Sequence, residues 1–310
     1  NLHKAKKEKN DEFYTQLADI ERECYKYKDL FKDKIIYCNC DDARESNFFK
    51  YFSMNFEFFG LKKLITTGYK ANGHGVAFIY EGGNKIVDDE EIQVITLEGD
   101  GDFKSPECIE FLKQADIVVT NPPYSLYREY IALLMDYNKK FLILGPLNSL
   151  TYKDVFPYIR TNKIWLGFNT FSSIEFKIPN DYETFSRIDD TGQKWSRLSN
   201  TRWFTNLPHN KRNKPLDLNK KYNPKEYPTY DNYNAINVDK VADIPKDYYG
   251  AIGVPITFMD KYNPDQFEIL SSNDYRKSDS VPFRTDGLIK YNYGAINGKL
   301  LYVRILIRRK

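Results

Sequence analysis

Four consecutive residues, Asn121, Pro122, Pro123 and Tyr124, could hold an amine and aim it at an electrophile. The two prolines stiffen the backbone and remove two amide donors, so such a loop mainly offers acceptors. The Asn121 side-chain oxygen and a proline carbonyl could accept from a planar NH2 group and direct its lone pair. The Tyr124 ring could stack on the ring that bears this amine, which does not require its hydroxyl. The alternative is an ordinary Asn-Pro turn beside a core tyrosine.

The surrounding elements predict where this loop lies. Residues 115–120 form an apolar run typical of a strand buried on both faces, and the loop ends that run. Further strands are predicted at 34–39, 61–67, 141–144 and 164–167, with a hairpin of 76–80 and 85–87 and a third core strand at 92–97. Helices are predicted at 46–59, 105–114, 126–137 and 152–160.

The alternation of strands and helices predicts an α/β fold with a doubly wound, mostly parallel sheet. Ligands of such sheets bind beyond the carboxyl ends of the strands. The loops after residues 39, 97 and 120 are therefore expected to converge on one site.

The composition argues against several classes of protein. No apolar run among the 310 residues approaches the ~20 residues that a membrane-spanning helix needs. The charged first residues exclude the apolar stretch of a signal peptide, so we expect a cytoplasmic protein without a membrane partner. Four cysteines at irregular spacing and three histidines predict neither disulfides nor a metal site. Cys38 and Cys40 are interpreted as small buried thiols.

Charge is distributed unevenly along the chain. The net charge is only +3, which does not support binding of a polyanion by bulk charge. Residues 202–225 carry seven Lys/Arg and one acid, and residues 299–310 carry five Lys/Arg and no acid. Both segments are candidate phosphate-facing surfaces. Turns, Asn, Tyr and Pro replace long helices after residue 179, which predicts a second region beginning near residues 180–210.

The tetrapeptide at 121–124 and the strand before it resemble the catalytic motif of S-adenosylmethionine-dependent amino methyltransferases, in the form found in adenine-specific DNA methyltransferases. The likeness continues in KNDEFYTQ at 9–16, YCNCDD at 37–42, SNFFKYF at 46–52, NKIWLG at 162–167, GVPITF at 253–258 and RILIR at 304–308. These segments look like the EcoRI modification methylase family, in order over nearly the whole chain.

The resemblance implies roles for several residues. The loop Asn121 to Tyr124 would capture the exocyclic amine of a target adenine. Phe13, Tyr14 and Thr15 match the motif placed over the methionine part of S-adenosylmethionine, and Asp102 with Phe103 resembles the pair that holds its adenine. An amphipathic helix start is the alternative for Phe13 and Tyr14, and a solvated loop acid is the alternative for Asp102.

The chain departs from most methyltransferases in its first cofactor loop. Residues 39–43 contain none of the glycines that usually allow close backbone approach to the cofactor. The usual acid after the second strand is also missing. We therefore assign Asn39, Asp41 and Asp42 to the cofactor site, with Asp41 or Asp42 as the candidate for the ribose hydroxyls.

The resemblance implies a Rossmann-like methyltransferase sheet in a catalytic domain at 1–207, with an N-terminal arm at 1–34 and a DNA target-recognition region at 208–310. The expected reaction is methylation of the N6 amine of a flipped-out adenine in double-stranded DNA. The expected protein is a monomer that needs no metal and no obligate protein partner. It would be the modification half of a restriction-modification system, or an orphan or phage equivalent. The candidate DNA-binding residues are Lys211, Arg212, Lys214, Arg304 and Arg308.

Two alternatives remain open from the sequence. The same loop could serve an RNA methyltransferase or a methyltransferase of protein glutamine amides, which assays with duplex DNA, RNA and protein would separate. The chain could instead be a catalytically inactive DNA-binding module, which a cofactor-binding measurement would distinguish.

Overall fold

A computed structural model describes residues 14–40, 46–83, 91–169, 174–178, 185–198, 200–272, 294–302 and 304–310. The chain divides into two compact units. Unit 1 comprises Asn1–Pro146 and Gly167–His209, and unit 2 comprises Leu147–Leu166 and Asn210–Lys310. Residues 147–166, which the sequence analysis placed in the catalytic region, therefore belong to unit 2.

Strands and helices alternate in unit 1 up to residue 146, apart from three successive strands at 63–96, and the elements described at 174–205 are strands. The strands before residue 147 are β1 (Tyr14–Thr15), β2 (Ile35–Asn39), β3 (Lys63–Gly68), β4 (Val76–Tyr80), β5 (Gln93–Thr96), β6 (Ile117–Thr120) and β7 (Lys140–Pro146). The next strand, β8 (Trp165–Leu166), belongs to unit 2. Unit 1 then continues with β9 (Ile174–Lys177), β10 (Arg187–Ile188), β11 (Lys194–Leu198) and β12 (Thr201–Thr205). Its helices are α1 (Leu17–Cys24), α2 (Lys28–Phe31), α3 (Asn47–Met54), α4 (Phe56–Phe59), α5 (Pro106–Gln114) and α6 (Tyr127–Asp136).

Seven strands of unit 1 form one large sheet in the order β5-β4-β3-β2-β6-β7-β12. Strands β3, β2, β6 and β7 are parallel to one another, whereas β4 and β12 pair antiparallel with their neighbours. Because β5 is antiparallel to β4, it runs in the same direction as the parallel group. The predicted α/β fold with a large, mostly parallel sheet is confirmed, and the carboxyl ends of five strands lie along one edge.

Some predicted elements differ in position or extent. The strand predicted at 92–97 is not a core strand, because β5 lies at the end of the sheet and its side chains are mostly exposed. The helix predicted at 46–59 is broken at Asn55 into α3 and α4. The sequence analysis missed β12, whose five residues are all buried. Residues 85–87 of the predicted hairpin lie outside the described residues.

Helices cover both faces of the large sheet. Ile36 and Cys38 of β2 pack into a core cluster that includes α1 and α3 residues, among them Cys24 and Phe52. Tyr37 points to the opposite face, where its ring lies 6.4 Å from Phe111 of α5. Burial on both faces explains why β2 lacks charged residues and is mainly apolar before Asn39. All four cysteines are buried, as expected for Cys38 and Cys40.

A buried carboxylate joins α1 to the chain that returns to unit 1. Glu23 accepts hydrogen bonds from the Phe168 amide at 2.6 Å, the Asn169 amide at 2.9 Å and the Asn169 side chain at 2.8 Å. The Tyr27 hydroxyl also donates to it at 3.0 Å. Burial raises the pKa of Glu23, while these four donors act in the opposite direction. Such a carboxylate is stable inside a protein only because its oxygens are satisfied.

A smaller sheet of unit 1, in the order β1-β9-β11-β10, fixes the segment before α1. Thr15 of β1 is opposite Phe176 of β9, and the Asn47 side-chain amide donates to the Thr15 carbonyl at 2.7 Å. Asn47 is the first residue of α3, which is capped by the Ser46 hydroxyl. The Thr15 backbone is therefore held beside the helix that follows β2.

Unit 2 is built mainly from strands. They are β8 (Trp165–Leu166), β13 (Ala235–Asn237), β14 (Ala251–Pro255), β15 (Phe267–Ser272), β16 (Ala295–Ile296), β17 (Lys299–Leu300) and β18 (Arg304–Arg309). The described part of unit 2 has one α-helix, α7 (Phe156–Arg160). The main sheet has the order β13-β14-β18-β15. None of the helices in the described ranges of either unit is long and apolar enough to cross a membrane.

Candidate active site

The predicted catalytic loop lies at the carboxyl end of β6. Asn121 and Pro122 are buried there, and Asn121 is 7% exposed. The Pro123 carbonyl accepts from the Leu126 amide at 3.0 Å, which closes the 3-10 turn Tyr124–Leu126. The turn leads directly into α6, so the loop is fixed by a strand on one side and a helix on the other.

One hydrogen bond links this loop to the end of β2. The Thr120 hydroxyl, immediately before Asn121, donates to the Asn39 carbonyl. Both residues are buried. The ends of β2 and β6 therefore meet, as expected, whereas residues 41–45 of the loop after β2 lie outside the described residues.

Tyr130 joins two of the predicted cofactor residues. Its hydroxyl donates to the Asn39 side-chain oxygen, and the Phe103 ring packs edge-on against it with centroids 5.1 Å apart. Burial raises the pKa of Tyr130, so the phenol remains a neutral donor at ordinary pH. The sequence analysis did not identify Tyr130, because it lies in the middle of α6 with the spacing of an ordinary core residue.

Close backbone packing holds Asp102 and Phe103 at the same edge of the sheet. Gly101 has a φ of +80°, and its backbone lies so close to Gly75 that a Cβ on Gly75 would be 2.7 Å from the Gly101 backbone. The Asp102 carboxylate accepts from the Lys104 amide at 2.9 Å and is partly exposed. Asp102 is thus held in a local turn with part of its side chain open to solvent.

The remaining predicted cofactor residues are only partly described. Thr15 is buried, and its backbone is held by Asn47 as described above. Tyr14 is described as part of β1. Phe13, Asp41 and Asp42 lie outside the described residues.

A hydrogen bond that the sequence did not predict holds Tyr124. Its hydroxyl lies 2.8 Å from the hydroxyl of Thr201, and burial raises the pKa of this phenol. Thr201 begins β12, and it is opposite Pro146 at the carboxyl end of β7. The antiparallel direction of β12 therefore brings its first residue to the edge of the sheet where the predicted catalytic loop lies.

Tyr127 directly follows the 3-10 turn of this loop and packs against the sheet. It is the first residue of α6 and is 1% exposed, with its ring 5.6 Å from that of Phe204. A Cβ on Gly145 of β7 would lie 2.6 Å from the Tyr127 hydroxyl oxygen and closer still to two ring carbons. Only glycine at position 145 leaves room for this ring. A glycine inside the apolar run of β7 was the sequence signal for this close approach.

The predicted DNA-binding residues that the structure places most firmly are arginines of unit 2. The Arg212 guanidinium lies 4.0 Å from the centre of the Trp165 ring and donates to the Asn162 side chain at 2.7 Å. Arg304 forms an ion pair with Asp239 at 3.0 Å.

The other three candidates are more open. Arg308 forms an ion pair with Glu268 at 2.9 Å, in which both side chains are about half exposed. Lys214 is exposed, and Lys211 is partly buried. In both lysine and arginine the charged head stays available to a phosphate only where it reaches solvent.

Taken together, the site of unit 1 is rich in hydrogen-bond acceptors and aromatic rings. Among the described residues, no group of three or more His, Cys, Asp or Glu could hold a metal ion. Asn121 and the Pro122 carbonyl can accept from an amine, and Tyr124 can stack beside it. The predicted cofactor residues lie near strand ends: Asn39 ends β2, Asp102 and Phe103 follow β5, and Thr15 ends β1.

Comparison with known proteins agrees with this geometry. A family model described as adenine-specific methyltransferase EcoRI matches residues 1–310. The Type II methyltransferase M.EcoRI of Escherichia coli is 49% identical over 327 residues, covering 100% of this chain and 96% of the relative. M.MgeORF184P of Mycoplasma genitalium is 39% identical, covering 100% and 99%, and M.MpnI of Mycoplasma pneumoniae is 35% identical, covering 100% and 98%. Both are also Type II methyltransferases.

Proposed function

The chain belongs to the family of EcoRI adenine-specific methyltransferases, and from this membership we propose that it methylates the N6 amine of adenine in duplex DNA with S-adenosylmethionine as the methyl donor. Its relatives are named Type II methyltransferases, which supports a role as the modification half of a restriction-modification system or as an orphan or phage equivalent. The observation that carries the proposal is the buried Asn121 at the end of β6, tied through Thr120 to Asn39.

The loop would act on the amine by orientation. The exocyclic amine of adenine is a poor nucleophile, because its lone pair is delocalised into the ring. The Asn121 side-chain oxygen and the Pro122 carbonyl would each accept one N–H, which draws the nitrogen toward tetrahedral geometry. The Pro123 carbonyl is a weaker candidate because the Leu126 amide already donates to it.

The residues at the strand ends fit the proposed cofactor. When bound, S-adenosylmethionine supplies an electrophilic methyl group on a sulfonium. Phe103 offers an aromatic face or edge to an adenine ring, and Asp102 offers a carboxylate to its amine. Asn39 and Thr15 would orient the remainder of the molecule. Phe13, Tyr14, Asp41 and Asp42 complete the proposed set.

The target base would have to leave the DNA stack to reach this loop. Tyr124 would then stack on the flipped adenine. The region 208–310 would provide target recognition, with Lys211, Arg212, Lys214, Arg304 and Arg308 as the proposed DNA contacts. The protein would act as a monomer.

The test is an Asn121→Ala variant assayed with duplex DNA and S-adenosylmethionine, with mass spectrometry to identify the methylated base. Turnover should be abolished, whereas cofactor affinity measured by calorimetry should stay within a few-fold of the parent. Asn148→Ala, at an exposed asparagine, is the matched control and should retain full activity. Methylation of cytosine, RNA or protein by the parent would contradict the proposal, as would loss of cofactor binding in Asn121→Ala.

A further inference from the structure

We propose that Thr201 is a positioning residue for methyl transfer, since its hydroxyl holds the Tyr124 ring in the place that receives the target base. This inference rests on the proposed function. Tyr124 belongs to the loop that captures the amine, whereas Thr201 lies 77 residues further along the chain.

The hydrogen bond gives the tyrosine ring a second point of attachment. The backbone of Tyr124 is fixed by the 3-10 turn that it begins, but the ring could still rotate about its side-chain bonds. A bond to the hydroxyl at the far end of the ring restricts rotation about Cα–Cβ, because that rotation would carry the hydroxyl away from Thr201. The ring is then placed before the base arrives, which lowers the entropy lost when the base stacks.

Thr201 is itself held rigidly. It is 1% exposed, and its branched side chain has few accessible rotamers. Its backbone pairs with β7 opposite Pro146, and the Arg202 guanidinium donates to its carbonyl at 2.9 Å. The hydroxyl that meets Tyr124 is therefore attached to the sheet and not to a loop.

Both partners of the bond are neutral near pH 7. Burial raises the pKa of Tyr124 well beyond the physiological range, so either hydroxyl can donate to the other. Loss of one neutral, partly buried hydrogen bond is expected to change a rate by about three- to tenfold.

The proposal therefore predicts a specific pattern among variants. Thr201→Val, which removes the hydroxyl at nearly constant volume, should lower the single-turnover rate of methylation by about three- to tenfold. Thr201→Ser should remain within about twofold of the parent. Tyr124→Phe should match Thr201→Val, and the double variant should lose no more than either single variant, because both remove the same bond.

The experiment first locates the methylated adenine by sequencing DNA treated with the parent, and then places 2-aminopurine at that position in a duplex. Thr201→Val should alter the fluorescence of the bound duplex, while its affinity for S-adenosylmethionine stays within twofold of the parent. Thr205→Val is the matched control. It removes another buried threonine hydroxyl of β12, one that donates to the Phe141 carbonyl at 2.6 Å. Thr205→Val should lower stability without changing the fluorescence.

Three results would overturn the inference. Thr201→Val could match the parent in rate and fluorescence, its effect could add to that of Tyr124→Phe, or Thr205→Val could reproduce it. If the parent protein methylates no adenine, the proposed function is overturned and this inference with it. If the parent methylates adenine and Thr201→Val does so equally well, only this inference is overturned.

Discussion

Replacing Gly145 with alanine should disturb the proposed catalytic loop through the Tyr127 ring. The new methyl group would point into the Tyr127 ring, 2.6 Å from its hydroxyl oxygen, whereas ordinary contacts are about 3.5–4.0 Å. The ring cannot move freely, because it is buried and packs against Phe204. Tyr127 follows the 3-10 turn of Tyr124 directly, so a displaced ring would shift the loop as well.

Overpacking of this kind costs about 1–3 kcal/mol. For a domain of roughly 150–250 residues, 1 kcal/mol lowers Tm by about 2–4 °C, so Gly145→Ala should lower Tm by roughly 2–12 °C. Gly73→Ala is the matched control, since a Cβ there meets only the flexible Lys70 side chain at 3.2 Å. That control should change Tm far less.

The assay combines urea denaturation, which gives the free energy of unfolding, with the rate of DNA methylation. Gly145→Ala should lower both quantities. A Tyr127→Leu substitution removes the ring that clashes, so the double variant should lose less stability than the sum of the two single variants. Additive losses, or a Gly145→Ala protein as stable as the parent, would refute the steric explanation.

Three further predictions follow from single sites. Asp102→Ala should raise the dissociation constant for S-adenosylmethionine about tenfold or more, through loss of a charge-assisted hydrogen bond of roughly 1.5–3 kcal/mol; calorimetry measures this, and unchanged affinity would place the cofactor elsewhere. Because burial raises the pKa of Glu23 above 4.5, the stability that Glu23 contributes should fall as the pH rises from 4.5 through the pKa of the folded protein. Glu23→Gln should remove this dependence of the free energy of unfolding on pH, as measured by urea denaturation. Replacing Lys211 and Lys214 with glutamine should weaken DNA binding and reduce the slope of log affinity against log salt by about 0.9 per lost phosphate contact, and an unchanged slope would exclude them.

The sequence predicted the parallel part of the large sheet well, for a physical reason. Strands buried on both faces need apolar runs, and residues 35–38, 117–119 and 141–144 provide them. The strands outside the parallel group were harder to predict. β5 was predicted as a core strand although it is largely exposed. β12 was missed, because its buried arginine, Arg202, lowers its apolar character.

The candidate site was predictable where a local motif carries it. Asn121 and Tyr124 lie within one tetrapeptide, so a local motif was enough. The partners Thr201 and Tyr130 are 77 and 91 residues from the groups they bond, and no local pattern encodes such distances. A serine or threonine at the start of a strand is common, and only the folded sheet shows what its hydroxyl meets.

β12 pairs with β7 although 54 residues separate the two strands in sequence, and this separation has a consequence for synthesis of the protein. β7 pairs with β12 along Pro146 to Leu142, yet the whole of 147–200 is translated before β12 exists. During that interval a nascent chain exposes the outer edge of β7, an unpaired row of amides and carbonyls between buried apolar side chains. Such edges recruit strands from other chains, so intermediates of this kind aggregate. A fragment that ends at Pro146 should therefore be insoluble, and a useful catalytic fragment must continue through His209.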